Sequence, residues 1–262
     1  MIRQLLRFAA AIVLMALAVP IPVSAATDAP LLGVLVYHRF GPTPKDSMTV
    51  RTPDFVQQLD AIGKAGVKIV PLTDVVDCFE KKEHCPDGPA LAITIDDGHR
   101  SVIEEAFPII RERKVPVTLF IYPSAISNAS YALTWDEIRE MMGSGLVTVQ
   151  SHTVWHPNFK TEKKKQAPED YAKFVDHQLT ASKSVLEKKV ATPIDILAWP
   201  FGIYDEELEA AAQKAGYRAA FTIDARPIAT TDRPEALPRF MIVDSLRGKP
   251  FDAIVRRIAG KE

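Results

Sequence analysis

The alternation of apolar runs with amphipathic segments is the feature that most limits how this chain can fold. Eight runs have the length of a strand, and several are continuous and β-branched, as in strands that are buried on both faces. They cover residues 31–37, 67–70, 90–95, 116–121, 146–150, 194–198, 219–223 and 240–243. Segments with a helical period separate them, so the chain repeats a strand–helix unit.

Repeated strand–helix units predict a parallel sheet covered by helices. About eight units in a chain of 262 residues predict a single α/β barrel, complete or incomplete. An open doubly wound sheet is the alternative. Residues 27–262 show no internal repeat and no linker, and we assign them to one domain. The polar stretch 159–169 is expected to be a solvated loop.

Three helices carry start signals in the sequence. Thr52 and Pro53 have the residue types of an N-cap and a first helical residue. Thr134 and Glu137 have the spacing of a capping box, in which each side chain bonds to the backbone N–H of the other residue. Asp205 is expected to cap a later helix.

The first 26 residues have the organisation of a secretory signal peptide. Arg3 and Arg7 precede an apolar stretch, 8–19, that is shorter than the roughly 20 residues needed to span a bilayer. Small residues precede Ala25 and Ala26, and we expect cleavage after one of these two. We therefore expect export to the periplasm or the exterior without a stable transmembrane anchor. A signal anchor is the alternative.

Cysteine content and charge agree with export. The two cysteines, Cys78 and Cys85, are expected to form a disulfide in an oxidising compartment. A zinc site formed by Cys78, His84 and Cys85 is the alternative, although adjacent ligands suit one ion poorly and a fourth ligand is missing. The 32 basic and 33 acidic residues give a formal net charge of −1, so no nucleic-acid partner is indicated.

Reactive side chains gather directly after the predicted strands, where parallel α/β folds place their functional sites. They are His38, Asp96, Asp97, His152 and His156. One aspartate and two histidines four residues apart match the three ligands and open positions of a catalytic Zn²⁺ or a comparable divalent ion. Two adjacent carboxylates such as Asp96 and Asp97 are expected to raise each other's pKa, which a cation would relieve.

Two of these segments resemble motifs of a known family. Thr94-Ile95-Asp96-Asp97-Gly98 and His152-Thr153-Val154-Trp155-His156 are similar to the first two motifs of the polysaccharide deacetylases (the NodB homology domain, carbohydrate esterase family four). The resemblance implies a distorted (β/α) barrel with one divalent metal ion. It implies Asp97, His152 and His156 as metal ligands and Asp96 as the catalytic base. Zn²⁺ is the ion expected, with Co²⁺, Ni²⁺ or Fe²⁺ as alternatives.

The later motifs depart from the common family pattern. Trp199-Pro200-Phe201 has no arginine where the third motif usually carries one, and no histidine follows His177 to serve as the usual acid. The exported poly-N-acetylglucosamine deacetylases resemble this chain better, because their acid histidine comes from a Tyr-His near the N-terminus. This similarity implies His38 as the acid. Arg239 is a candidate to replace the missing arginine and orient Asp96.

The resemblance implies removal of N-acetyl groups from an amino-sugar polymer, either poly-N-acetylglucosamine or a related cell-envelope glycan. It implies that the backbone N–H of Phe201, in the turn after Pro200, stabilises the oxyanion. Aromatic side chains near the site are expected to stack on sugar faces; these are Tyr37, Trp155, Trp199 and Phe201. The alternatives are a non-catalytic glycan-binding barrel and a hydrolase of non-sugar amides.

Some of these residues also have a structural interpretation. His38 and Trp199 are candidates for packing in the barrel, and Trp155 for a wall of the site. His99, although next to the first motif, is interpreted as a surface residue, and His84 and His177 as structural.

Overall fold

The computed structural model of the protein describes residues 31–81 and 85–261. The predicted signal peptide and His84 lie outside these residues. Within them, no helix has both the length and the apolar character needed to cross a membrane.

Parallel strands form the centre of the fold. The strands are β1 Leu32–Tyr37, β2 Arg39–Gly41, β3 Thr49–Arg51, β4 Lys68–Ile69, β5 Ala90–Asp96, β6 Val117–Ile121, β7 Val147–Ser151, β8 Ile196–Ala198, β9 Ala219–Phe221 and β10 Phe240–Met241. Seven lie side by side in the order β10-β1-β5-β6-β7-β8-β9, and β4 pairs with the start of β5. All pairings in this sheet are parallel. All eight predicted strands are therefore present, with ends that differ by a few residues.

Helices cover the sheet. They are α1 Thr52–Lys64, α2 Leu72–Lys81, α3 Phe107–Arg113, α4 Trp135–Gly143, α5 Phe159–Lys165, α6 Pro168–Val190, α7 Glu206–Lys214 and α8 Lys249–Ile258. A π-helical turn, Val102–Ala106, precedes α3, and 3₁₀ turns occupy Pro200–Gly202 and Pro234–Ala236.

One segment joins the two edges of the sheet. Leu237 donates its N–H to the Ala220 carbonyl and accepts from the Thr222 N–H, both at 2.8 Å, so it pairs with β9. A few residues later Phe240 and Met241 pair with β1. The segment 237–241 thereby closes the sheet, which confirms the predicted distorted (β/α) barrel.

Alternation along the strands divides the core into two parts. On β5, Leu91, Ile93 and Ile95 belong to the large cluster that the outer helices cover. Ala90 and Ala92 belong to a smaller cluster that collects residues from five strands of the sheet. Asp96 is an even number of residues from Ala90 and Ala92, so its side chain points to the same side of β5 as theirs. The end of β5 therefore presents a carboxylate to the barrel interior.

Helix α2 packs against this inner cluster through Leu72, Val75, Val76 and Cys78. A disulfide links Cys78 to Cys85, with 4.7 Å between their Cα atoms, as the sequence predicted. The two cysteines are thus joined to each other in the structure rather than serving as ligands of a metal.

The polar stretch 159–169 is not a loop, and this prediction was wrong. Residues Phe159–Lys165 form α5, and Asn158 caps it by accepting the Thr161 N–H at 3.0 Å. Phe159 is the only apolar anchor of this helix and is fully buried, so no helical period was visible in the sequence.

Two of the three predicted helix starts are confirmed. The capping box of Thr134 with Glu137 and the Asp205 cap are present. Thr52, however, is already helical, and Arg51 occupies the cap position. The Thr52 hydroxyl donates to Glu105 at 2.7 Å instead, so a tertiary contact replaces the local one. Strands β2 and β3 were not predicted.

Candidate metal centre and active site

The ends of β5 and β7 bring the candidate residues together around the end of β6. The Asp97 N–H donates to the Phe120 carbonyl at 3.0 Å, and the His152 N–H donates to the Ile121 carbonyl at 2.9 Å. Because these two carbonyls are neighbours on β6, residues that are 55 positions apart in the sequence start their loops side by side.

Asp97, His152 and His156 converge on one point. Asp97 Oδ1 lies 3.8 Å from His152 Nε2 and 3.7 Å from His156 Nε2. One ligand atom from each residue lies within 4.8 Å of the other two. The two imidazoles reach this position through a tight turn rather than a helical one, with φ of +66° at Thr153 and +62° at His156.

A glycine is required next to Asp97. Gly98 has φ of +70°, a conformation that L residues seldom adopt. A Cβ at this position would lie 2.9 Å from Ile126 Cδ1. The Asp-Gly pair therefore makes the turn that directs the Asp97 carboxylate across to the histidines.

The chemistry of the three residues fits a divalent cation. Among the hydrogen bonds of the described residues, Asp97 Oδ1 has no donor although it is buried. His152 donates Nδ1–H to the Ala198 carbonyl at 2.7 Å, which leaves the Nε2 lone pair free toward Asp97. Burial lowers the pKa of His152 to about 3 and also lowers that of His156. Both imidazoles are therefore neutral, as metal ligands must be.

Asp96 lies beside this group but is held by Arg239. The guanidinium donates to Asp96 through Nη1 and Nη2, both at 2.9 Å, in a bidentate pair. Arg239 also donates to the Thr222 carbonyl at 3.0 Å and to Thr94 Oγ1 at 3.1 Å, and its side chain is completely buried. Asp96 Oδ2 remains 3.8 Å from His152 Nε2.

The two adjacent carboxyls have pKa values shifted in opposite directions. Burial raises the pKa of Asp97 above its ordinary value, and the charge of Asp96 adds to this. Burial alone would raise the pKa of Asp96 as well, but the Arg239 guanidinium brings it below the ordinary value. The prediction that both would be raised was wrong for Asp96, because its arginine is 143 residues away in the sequence.

His38 and Phe201 complete the surroundings of the site. His38 directly follows β1, is half-buried, and is close enough to interact electrostatically with Asp96 and Asp97. Its Nδ1 is buried and makes no hydrogen bond to the described residues. Phe201 has φ of +57° in the turn after β8, and its ring packs on that of His156 with centroids 4.4 Å apart.

Two of the aromatic residues expected to stack on sugars are inaccessible. Tyr37 and Trp199 have no exposed surface. The Tyr37 hydroxyl donates to Gln58 at 3.0 Å, and the Trp199 indole donates to the Glu235 carbonyl at 2.8 Å. Both are therefore core residues. Their rings fill the interior, and the polar atom of each ring has a hydrogen-bond partner there.

The other two aromatic residues are exposed. Trp155 is 44% exposed and Phe201 is 55% exposed. Pro200, in the same turn as Phe201, is buried and fixes the start of that turn.

Four further residues border the site and were not among the sequence candidates. Arg39, His99, Tyr122 and Tyr131 line a cavity of about 290 Å³ that also includes Asp97. Tyr122 directly follows β6, so its position at a strand end was the available signal. Nothing in the sequence marks Tyr131, which lies in a loop.

A comparison with known proteins identifies the family. The sequence profile of the polysaccharide deacetylases matches residues 83–220, more than half of the chain. The chain belongs to the polysaccharide deacetylase family. The match includes Asp96, Asp97, His152, His156 and Phe201. Enzymes of this family are hydrolases that cleave N-acetyl amide bonds of glycans.

The chain is also similar to an N-deacetylase with a named polysaccharide substrate. The poly-beta-1,6-N-acetyl-D-glucosamine N-deacetylase of Staphylococcus aureus (strain MRSA252) is 22% identical over 216 residues, which cover 81% of this chain and 72% of that protein.

Solved structures share the fold. The Streptococcus pyogenes deacetylase PplD, in complex with acetate, superposes with a TM-score of 0.76 at 19% identity, covering 86% of this chain and 98% of that one. IcaB from Ammonifex degensii superposes with a TM-score of 0.74 at 23% identity, covering 88% and 97%. The polysaccharide deacetylase barrel therefore extends over most of the described residues.

Proposed function

We propose that the protein is a metal-dependent hydrolase that removes N-acetyl groups from an N-acetylated amino-sugar polymer, poly-N-acetylglucosamine or a related cell-envelope glycan. The observation that carries the proposal is the convergence of Asp97, His152 and His156 within 4.8 Å, with a buried, arginine-paired Asp96 beside them. Family membership supports the reaction, and similarity to the poly-beta-1,6-N-acetyl-D-glucosamine N-deacetylase of S. aureus supports the substrate class.

In this proposal Asp97, His152 and His156 hold one divalent cation. A set of two imidazoles and one carboxylate suits Zn²⁺, with Co²⁺, Ni²⁺ or Fe²⁺ as alternatives. When bound, the ion supplies Lewis acidity, which lowers the pKa of a water molecule and polarises the acetyl carbonyl.

Asp96 acts as the general base. Its pairing with Arg239 keeps it ionised and fixes its plane, while each oxygen retains a lone pair for a proton. Asp96 accepts a proton from the attacking water as the water oxygen bonds to the acetyl carbon.

His38 acts as the general acid. An amine is a poor leaving group, so the nitrogen must be protonated as the C–N bond breaks. His38 donates that proton, and the products are acetate and a free amino sugar. The Phe201 N–H stabilises the oxyanion that forms on the acetyl oxygen. The left-handed φ of Phe201 is consistent with a backbone held in a special conformation for this contact.

The proposed location is the periplasm or the exterior. The Cys78–Cys85 disulfide supports an oxidising compartment, and the sequence of residues 1–26 supports export.

The test is acetate release from N-acetylglucosamine oligomers by purified protein, with and without a chelator. We expect release that stops after chelation and returns when Zn²⁺ or Co²⁺ is added back. Persistent release after verified metal removal would overturn the metal dependence, and no release from any glycan with a loaded metal would overturn the function.

A further inference from the structure

Two depressions open beside the candidate metal centre and share one wall. The first, of about 290 Å³, includes Asp97, and the second, of about 470 Å³, includes His156 and Trp155. Tyr122 and Tyr131 line both. Asp97 lines the first and His156 the second, so each depression reaches a different member of the triad of Asp97, His152 and His156, and the tyrosine pair is their common wall.

The shared wall is held in place from both sides. The Tyr122 and Tyr131 hydroxyls are 3.0 Å apart, and the Tyr122 ring packs against His156 with centroids 5.6 Å apart. The Tyr131 ring lies nearly parallel to that of His99, at 6.2 Å and an interplanar angle of 16°. Tyr131 is nevertheless 48% exposed, so a fixed aromatic surface is available to a ligand.

The first depression offers hydrogen-bond donors without an excess of positive charge. Arg39 is paired with Asp46, so its charge is balanced within the protein. His99 accepts the Ser101 N–H through Nδ1 at 3.1 Å, so its proton is on Nε2, which can donate. Neutral hydroxyl groups suit this lining, because its donors are a paired guanidinium, an imidazole N–H and tyrosine hydroxyls, while the charge of Asp97 is taken up by the cation that the proposed function places there.

The second depression combines an aromatic face with amide groups. Trp155 lines it and is 44% exposed, and Asn128 donates to the Ser124 carbonyl at 3.0 Å, which leaves its Oδ1 free to accept. A sugar ring has an apolar C–H face and polar edges, and this is the pattern that an indole with a neighbouring amide binds.

We propose that Tyr131, held by Tyr122, separates two sugar subsites, so that the protein binds one sugar unit at the triad and one neutral sugar unit in each depression. Tyr131 is therefore a specificity-determining residue that makes turnover depend on chain length. This inference rests on the proposed function and adds to it the number and arrangement of the units that are recognised.

The experiment compares the wild type with Tyr131→Ala on β-1,6-linked N-acetylglucosamine oligomers, from the monosaccharide to the hexasaccharide, with the metal loaded. We expect the loss in kcat/KM to grow with chain length, to about tenfold or more on the longer oligomers, mainly through KM. Tyr131→Phe keeps the ring and is expected to retain most of the affinity. Val185→Ala, which changes an exposed apolar residue on α6, is the control and should match the wild type at every length.

The outcomes separate the two proposals. An active wild type for which Tyr131→Ala loses the same factor on the monosaccharide and the hexasaccharide would overturn the subsite assignment and leave the deacetylase function intact. A metal-loaded wild type that releases acetate from no oligomer would overturn both. If Tyr131→Ala does not fold, judged by circular dichroism, the same length series with Asn128→Ala tests the second depression. A loss independent of length there would also overturn the assignment.

Discussion

At the scale of single residues, the candidate site is built from uncommon backbone conformations. Asp97, Thr153, His156 and Phe201 all have positive φ, between +57° and +73°. Such conformations each cost about 1–3 kcal/mol for a non-glycine residue and persist where the surrounding structure enforces them. Two of them belong to Asp97 and His156, whose carboxylate and imidazole lie 3.7 Å apart at the candidate metal centre.

Removing the base is expected to separate metal binding from turnover. Asp96→Asn should keep the metal, because Asp96 is not in the ligand set, and lower kcat by about 10²–10⁴. Metal content and acetate release are measured on the same sample, with the exposed Asp170→Asn as the control. Turnover at the wild-type rate would remove Asp96 from the role of base.

Removing a proposed metal ligand, in contrast, is expected to remove the metal itself. His152→Ala is expected to lose the metal, since two protein ligands remain and the buried Ala198 contact is lost as well. His177→Ala, a histidine exposed on α6, is the matched control and should retain the metal. Elemental analysis of dialysed protein is the measurement, and full metal occupancy in His152→Ala would refute the ligand set.

The acid is tested by changing the leaving group. His38→Ala is expected to slow the hydrolysis of N-acetyl amides by about 10²–10⁴. It should slow 4-nitrophenyl acetate far less, because that leaving group departs without a proton. The ratio of kcat/KM on the two substrates is the readout. An equal loss on both would contradict the acid assignment.

At the scale of elements, ionic and covalent links hold α2 at one end of the barrel. Arg218 donates to Asp77 at 2.6 Å and to Glu80 at 2.8 Å, both on α2, and to Asp195 at 3.0 Å. The disulfide between Cys78 and Cys85 then ties the end of α2 to the residues that lead into β5. The site residues stand at the opposite ends of the strands.

The disulfide is therefore expected to affect stability and leave metal binding intact. Replacing both cysteines (Cys78→Ser with Cys85→Ser) should lower the free energy of unfolding by about 2.5 kcal/mol in the chain-entropy model. Urea unfolding is the measurement, and the reduced wild type is the matched control, expected to behave like the double variant. Equal unfolding midpoints for oxidised and reduced wild type would contradict this.

At the scale of the whole molecule, closure of the barrel and ionisation of Asp96 depend on the same segment. Residues 237–241 pair with β9 on one side and β1 on the other. Arg239 lies in the middle of this segment, packs over the Phe120 ring at 5.3 Å and pairs with Asp96. The segment that closes the sheet thus supplies the partner of Asp96, the proposed base.

Loss of this arginine should destabilise the fold as well as the site. Arg239→Met is expected to cost about 3–5 kcal/mol, because it leaves the Asp96 charge buried without a partner. The double variant, Arg239→Met with Asp96→Leu, should recover most of that stability and no activity, since the pair is then replaced by apolar groups. Urea unfolding of the two variants checks this, and equal stability of Arg239→Met and the wild type would show that the pair is not needed for folding.

Sequence alone identified the barrel, its eight strands and the five polar residues at strand ends, because strand periodicity and ligand chemistry are local properties. Sequence did not identify α5, whose single buried anchor Phe159 gives no period, or the burial of Tyr37 and Trp199.

The sequence suggested Arg239 as a partner of Asp96 through a family resemblance, but the sign of the Asp96 pKa shift depended on a contact across the barrel. Tyr131 became a candidate only when its loop was placed against the site. Local patterns determine which elements form and which chemistry is available, whereas burial, pKa and the neighbours of each side chain depend on the closing of the barrel, which brings distant residues into contact.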